Sequence, residues 1–535
     1  MTEQASMFIS LLYPNEEAYR HHKDGRDRLQ ISMQTCEELG LSSLFSLKSS
    51  RLTDYFTTDV HIISYRKQAL DELSETPALS ELLREVQPIL EDILELRRLD
   101  REIDTRGGDS YLYSITEIEL YVRCVDALRE GLLPLRDSLK SEAFRRLCDV
   151  VFHFAESEKY QHLTKDLSSL TDRVHEVKSI TVGVNLDAQY RPTEAGVLSV
   201  NADSFKSGKT LDKILRLSFK NDAMTCIAPL TPFGRNESEN RQEALNGAFR
   251  TALHDVFKSS IKGWRAIVGE YVLENSDFLL QLLPEIEFLN RAATLIRRLK
   301  DKGYSLCTPD IRPANEKAFE AYALYNPDVA LRIDTPIVPN DIIFDDAAHF
   351  YILSGPNRGG KSVVTCAMGL AQCLCQLGVG VPAERATVST VDAVFTHFPE
   401  GAEDTIDKGR LGEECARLRE IFDASTGDSM ILLDESLSST GSYEASFIAA
   451  EILSGFASRG CRGMFSTHLH ELSSSIDDIN RRSAERGGIL VDTLVADIQE
   501  EGKRSFKICR RKPDGKSYAR DIARRYGLDF DNLLK

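Results

Sequence analysis

The 535-residue sequence contains eleven cysteines, scattered and without a single Cys-x-x-Cys pair. That argues against a zinc-ribbon or disulfide framework and fits a reducing compartment. Cys373 and Cys375 share one apolar helical stretch, where their side chains point to different faces. No apolar run reaches membrane-spanning length. The nearest, Val363–Val381, is interrupted by Gln372, Gln376 and three glycines. The N-terminus lacks a basic-then-apolar signal pattern, so the expected location is cytoplasmic, with no membrane anchor. Basic residues are in deficit, 66 Lys and Arg against 83 Asp and Glu, for a net charge of −17. A nucleic-acid partner would therefore have to meet a local basic patch on an acidic body. No fixed-period repeat or low-complexity tract is present.

What remains is an ordinary globular composition, 42% hydrophobic and 28% charged. The length predicts roughly two to four domains. Residues 1–330 read as mainly helical. Glu16–Gly40 is polar with helical spacing, and Thr57-Thr58-Asp59 precedes a helix that continues to Leu73. Thr76-Pro77 is a helix start, with Thr as cap and Pro at the first helical position. From there Leu79, Leu82, Leu83, Val86, Ile89, Leu90, Ile93 and Leu96 trace one face until Arg97, with Pro88 as an expected kink. Ser114 with Glu117 forms a capping box, and helical pattern recurs over Leu147–Phe154 and His162–Val177. The pattern then changes. Lys178–Asn185 alternates like a strand, Gln189–Pro192 suits a turn, and Gly196–Asn201 suits a returning strand. This predicts a small β-containing insert at about 178–240, bracketed by long helices that go out and return. Candidates for the buried faces of the returning helices are Ala252, Val256, Ile261, Val268 and Val272, then Phe288, Ala292, Leu295, Ile296 and Leu299. Residues 331–535 alternate strands with helices, the mark of a parallel α/β sheet.

The chemistry sits in that last part. Gly355-Pro356-Asn357-Arg358-Gly359-Gly360-Lys361-Ser362 fits the phosphate-loop pattern, between a buried strand and an apolar helix. Glycines let the backbone curl so that several N–H groups face one anion, and the helix N-terminus adds partial positive charge. Lys361 is predicted to reach the β- and γ-phosphates of ATP, and the Ser362 hydroxyl to bind Mg²⁺. Met430–Leu433 is a buried strand ending in Asp434 and Glu435. Asp434 is the predicted second Mg²⁺ ligand and Glu435 the base that polarises the attacking water, because phosphoryl transfer needs positioning and charge neutralisation above all. Gly463–Thr467 ends in His468, read as a γ-phosphate sensor.

These residues resemble the ATPase domain of the MutS DNA mismatch-repair family. The resemblance rests on the phosphate loop, Val381-Pro382-Ala383-Glu384, Val394-Phe395-Thr396, Asp434-Glu435 with Thr440-Gly441-Ser442-Tyr443-Glu444, and Ser466-Thr467-His468-x-x-Glu471-Leu472. Pro339-Asn340-Asp341-Ile342 and Ser517-Tyr518-Ala519 through Gly527-Leu528 extend it. The helical region matches more loosely, through Tyr65-Arg66 with Leu70-Asp71-Glu72-Leu73. The resemblance implies a fold in which helical lever arms carry a clamp-like insert, followed by a P-loop ATPase domain of the ABC/MutS type. It implies ATP and Mg²⁺ as cofactors, a DNA partner, and a homodimer formed through the ATPase domain.

The chain also departs from the family. A mismatch-reading domain with its Phe and Glu wedge has no counterpart, nor have the helix-turn-helix dimerisation tail and the nuclease tail of some paralogues. Where relatives offer a serine to the partner subunit's γ-phosphate, this chain has Leu411, flanked by Arg410 and Gly412 as possible substitutes. Ile337 stands where relatives place an aromatic under the adenine, and Arg358 where they often carry Met. The expected function is ATP hydrolysis coupled to clamp-like binding of DNA, branched or structured duplex rather than single mismatches. The alternative is an ATP-switched scaffold for protein or structured RNA. Lys206, Lys209, Lys213, Arg216 and Lys220 form either a basic contact face or a solvated helix face. An ATPase subunit of a transporter is disfavoured, since the chain lacks a Leu-Ser-Gly-Gly-type signature.

Overall fold

The computed structural model describes residues 8–104, 111–175, 179–186, 188–189, 192–201, 203–204, 206–207, 225–226, 277–356, 359–398, 410–498 and 504–512. The chain divides into two compact units. One comprises residues 1–80, 138–147 and 285–535, the other residues 81–137 and 148–284.

The first unit is built on a seven-stranded sheet. Its strands are, in chain order, β1 (Gln30–Ile31), β2 (Phe350–Ser354), β3 (Ala393–His397), β4 (Met430–Asp434), β5 (Arg462–Ser466), β6 (Val491–Ile498) and β7 (Arg504–Arg510). In space they run β1-β3-β4-β5-β2-β6-β7, parallel throughout except for the antiparallel pair β6/β7. Every residue of β2, β4 and β5 is buried, as a parallel sheet covered on both faces requires. The two-residue period sorts the side chains. Ile431 and Leu433 join a core with Leu418, Ala449, Leu453 and Phe456 from helices Arg410–Ala424 and Ser442–Arg459. Leu432 faces the helix Lys361–Gln376 so closely that a Cβ on Gly369 would lie 2.6 Å from it.

That helix carries two buried glutamines that bind strand and loop backbone, although the Gln372 Oε1 has no hydrogen-bond partner. Gln376 binds Thr57 O, Val391 O and Val391 N, and Gln372 binds Ser389 O. The N-terminal segment is thus stitched to the sheet unit. β1 belongs to the same stitching, since Gln30 pairs with Ala393. The helical spacing of Glu16–Gly40 is therefore only partly realised. Helices Glu16–Lys23 and Met33–Glu38 flank a two-residue strand whose partner lies hundreds of residues away. A second sheet places Asp310–Arg312, Arg385–Ser389, Phe319–Leu324 and Asn340–Ile343 side by side in that order.

Asp59 caps the helix Val60–Glu75, accepting from the His61 and Ile62 N–H groups. The next helix, Pro77–Asp104, begins at the expected proline and runs through Pro88. Its predicted stripe from Leu79 to Ile93 is buried. In the second unit the capping box at Ser114 is not realised, because the helix spans Tyr111–Leu132 and Ser114 lies inside it. Glu117 instead takes the Arg97 guanidinium at 2.6 Å, both side chains being largely buried. The position where the apolar stripe fades thus supplies the charge that Glu117 needs. The hairpin is present. Ser179–Leu186 pairs antiparallel with Pro192–Asn201, with Ser179 opposite Asn201. In the first unit, the helix Asp277–Asp301 buries Phe288, Ala292, Leu295 and Leu299. Of the rest of the insert, Lys209, Lys213, Arg216 and Lys220 lie outside the described residues, as do Ala252, Val256, Ile261, Val268 and Val272. No described helix is long and apolar enough to cross a membrane.

Candidate functional site

The phosphate loop leaves β2 at Ser354 and enters the helix Lys361–Gln376. Two of its glycines have backbone angles that other residues resist, Gly355 at φ 142° and Gly360 at φ 93°. A Cβ on Gly355 would also stand 2.7 Å from the Ala496 Cβ. Pro356 and Gly359 are joined across the turn, the Gly359 N–H donating to the Pro356 carbonyl at 3.1 Å. Asn357 and Arg358 lie outside the described residues.

Lys361 is buried. Its ammonium donates to the carbonyls of Gly355 at 3.0 Å and Pro356 at 3.2 Å, and lies 3.4 Å from His468 Nδ1. Burial lowers its pKa, while the nearby Glu435 and Asp434 charges hold it up. A desolvated ammonium gains more from an arriving anion than one in bulk water. His468 Nε2 meets Glu435 Oε1 at 2.7 Å. The two contacts of the imidazole fix its roles. Facing an ammonium, Nδ1 accepts, so Nε2 carries the proton and donates to the carboxylate.

Asp434 ends β4 and is buried. Burial pushes its carboxyl above the ordinary value, with a further push from Glu435, against hydrogen bonds from Ser362 and Ser466. One of its oxygens, Oδ1, is buried without a hydrogen-bond partner. A buried carboxylate oxygen that lacks a donor, beside a serine hydroxyl, is a donor set that fits a hard cation such as Mg²⁺. No cluster of three or more His, Cys, Asp or Glu side chains able to hold a metal occurs among the described residues. That is compatible with a Mg²⁺ held by one carboxylate, one hydroxyl and substrate phosphates. The sheet therefore brings Lys361, Ser362, Asp434, Glu435 and His468 together at the C-terminal edge of β2, β4 and β5, where open α/β folds bind ligands.

Other predicted residues sit further out. Ile337 is half-buried, its N–H donating to the Tyr304 hydroxyl at 3.1 Å. Leu411 packs against the core of its own unit. One residue that sequence reasoning missed is Phe506 on β7. It is exposed, and its ring comes within 3.5 Å of where a Gly360 Cβ would be. Asn340 holds that strand in place, donating to Phe506 O and accepting from the Ile508 N–H. The only available signal was an aromatic in the run Arg504–Arg510, which has no meaning until β7 is laid beside the phosphate loop.

Comparison with known proteins finds relatives over both parts of the chain. A family model described as MutS domain V matches residues 351–510, and one described as MutS2 N-terminal domain matches residues 58–302. Among curated relatives, "Endonuclease MutS2" of Thermus thermophilus is 29% identical over 256 residues, 48% of this chain and 31% of that protein. "DNA mismatch repair protein MutS" of Thermotoga neapolitana is 30% identical over 272 residues, 50% of this chain and 31% of that protein. The protein of the same name from Chlorobium limicola is 34% identical over 206 residues, 37% and 22% respectively. The chain thus spans less than a third of the length of these relatives. The two family models match in order along the chain, which is therefore similar to MutS-family proteins in both its helical part and its sheet-bearing part.

Proposed function

We propose that this chain binds ATP at the Gly355–Ser362 loop and hydrolyses its β,γ bond, and that the nucleotide governs binding to DNA. The observation that carries the reading is the Lys361–His468–Glu435 relay, running from a buried ammonium to a half-exposed carboxylate, beside the unpartnered Asp434 oxygen. Lys361 exchanges its two loop carbonyls for phosphate oxygens. Glu435 takes the proton of the attacking water, and the His468 N–H holds that carboxylate in position. Ser362 and Asp434 are the residues that would hold Mg²⁺, which when bound supplies charge neutralisation at the phosphates. Phe506 gives the adenine a surface to lie on, and Ile337 would add a second apolar side chain. Two subunits would share the nucleotide face, with Arg410 or the Gly412 N–H taking the place of the missing serine. The DNA reading is supported by the names of the relatives and by the hairpin that follows the helix Glu158–His175 in the chain.

Calorimetry and phosphate release test this directly. Lys361→Ala should abolish ATP binding, and Glu435→Gln should bind ATP and hold it unhydrolysed. Normal turnover by the Gln variant would remove Glu435 from the mechanism. Gel shifts with linear, mispaired and four-way duplexes at fixed salt, with and without ATP, then test the partner. Absence of any shift, together with capture of protein or structured RNA, would favour the scaffold reading.

A further inference from the structure

The turn from Glu435 to Leu437 holds strained backbone at the site. Glu435 has φ 47° and Leu437 φ 67°, both in the left-handed region that non-glycine residues avoid. Leu437 is buried, so neither a hinge nor solvent accommodates the strain. The turn is therefore held in place from outside. The Glu435 N–H donates to Ser466 O at 2.8 Å on one side. On the other side stands His397, the last residue of β3, in register with Leu433 of β4. Its Nδ1 lies 2.7 Å from Ser436 Oγ, and that hydroxyl donates to the His397 carbonyl at 3.3 Å. Both contacts are satisfied together when Nδ1–H donates to the hydroxyl oxygen and the hydroxyl donates to the carbonyl. Both side chains are almost wholly buried. Ser436 lies between the two left-handed residues, so the bond pins the strained turn at its centre.

We infer that His397 and Ser436 act as a positioning pair for Glu435, fixing the turn so that its carboxylate is presented to the water attacking the γ-phosphate. The inference rests on the ATPase reading above. No described contact joins either residue to Lys361 or Ser362, so their loss should spare binding and strike turnover.

The test compares wild type, His397→Ala, Ser436→Ala, the double variant and His397→Asn for nucleotide affinity by calorimetry, for kcat and KM, and for thermal midpoint. Each single alanine variant should lose about tenfold or more in kcat, with ATP affinity held within about twofold. The double variant should be no worse than the poorer single one, because both remove one bond. His397→Asn, whose amide N–H can reach the hydroxyl, should recover most of the rate. Ser436→Ala removes a single oxygen and carries the test if His397→Ala fails to fold. Unchanged kcat in a folded single variant overturns the pair, as do losses that multiply in the double or a fall in affinity that matches the fall in rate. If wild type itself releases no phosphate, the ATPase reading fails and this inference falls with it. Normal turnover by the His397 variant in an active background sinks the pair alone.

Discussion

At the scale of single residues, the proposed ATPase reading separates holding the nucleotide from acting on it. Phe506 presents a ring beside Gly360 and makes no described contact with the acidic pair. His468 bridges Lys361 and Glu435, the two groups proposed to meet the phosphates and the water respectively. Substituting each should therefore move a different constant. Phe506→Ala should weaken ATP binding by about 1–3 kcal/mol, the usual worth of a base stacked on an aromatic, with kcat little changed. His468→Ala should leave affinity close to wild type and lower kcat by about 10²-fold, since it disorders the base and removes a donor near developing charge. Calorimetry and single-turnover hydrolysis on the two variants read both constants. If Phe506→Ala binds normally, the ring is only a lid on the strand. If His468→Ala turns over normally, its bond to Glu435 is incidental.

At the scale of elements, local chemistry made some parts readable and long-range pairing hid others. The phosphate loop, β4 with its acidic end and β5 with its histidine were legible because their signals are contiguous: glycines at fixed spacing, or a buried run ending in a polar group. The hairpin near Ser179 and the helix start at Pro77 were legible for the same reason. β1 was not, since two residues carry no period and its partner Ala393 is distant. The capping box at Ser114 misled because the same Glu117 could serve either a local N–H or the Arg97 guanidinium, and only packing chooses. Gln372 and Gln376 looked like interruptions of an apolar run, yet they cap the backbone of neighbouring segments. The His397–Ser436 bond and the place of Phe506 were equally out of reach, as each joins elements that meet only in the folded sheet.

The helix Asp277–Asp301 makes a prediction of its own. Glu285 follows Pro284 and is buried, accepting from Ser10 Oγ at 2.8 Å and the Leu11 N–H at 2.6 Å. Those bonds and Arg66 favour its charged form, yet burial outweighs them and raises its pKa to about 7. The unfolded chain holds the same proton with an ordinary value of about 4.3. Between those values the folded state binds the proton more tightly, so stability falls as pH rises through the window and levels off above it. The loss is on the order of 3 kcal/mol. Urea midpoints of wild type and Glu285→Gln, measured from pH 5 to pH 8, should diverge in slope, with the Gln variant flatter. Parallel curves would mean that the carboxyl titrates normally and is not sealed by the fold.

At the scale of the molecule, the nucleotide site lies in one compact unit and the hairpin in the other. The helices Pro77–Asp104, Glu142–Ala155 and Asp277–Asp301 each continue through a unit boundary, at Ser80/Glu81, Leu147/Cys148 and Pro284/Glu285. If ATP governs DNA binding through the hairpin, the coupling free energy has to pass along such continuous elements, and it must be reciprocal. Glu435→Gln, which should hold ATP unhydrolysed, allows both affinities to be measured at equilibrium. On that variant, saturating ATP should change the affinity for a four-way duplex by about 5–150-fold, the usual span of such couplings, and saturating duplex should change ATP affinity by the same factor. Fluorescence titration in both directions at one fixed salt concentration provides the check, because the phosphate contacts of an acidic protein are strongly salt-dependent. A factor of one in both directions would leave the nucleotide site and the hairpin as independent devices, since a ligand that binds two states equally cannot shift the balance between them.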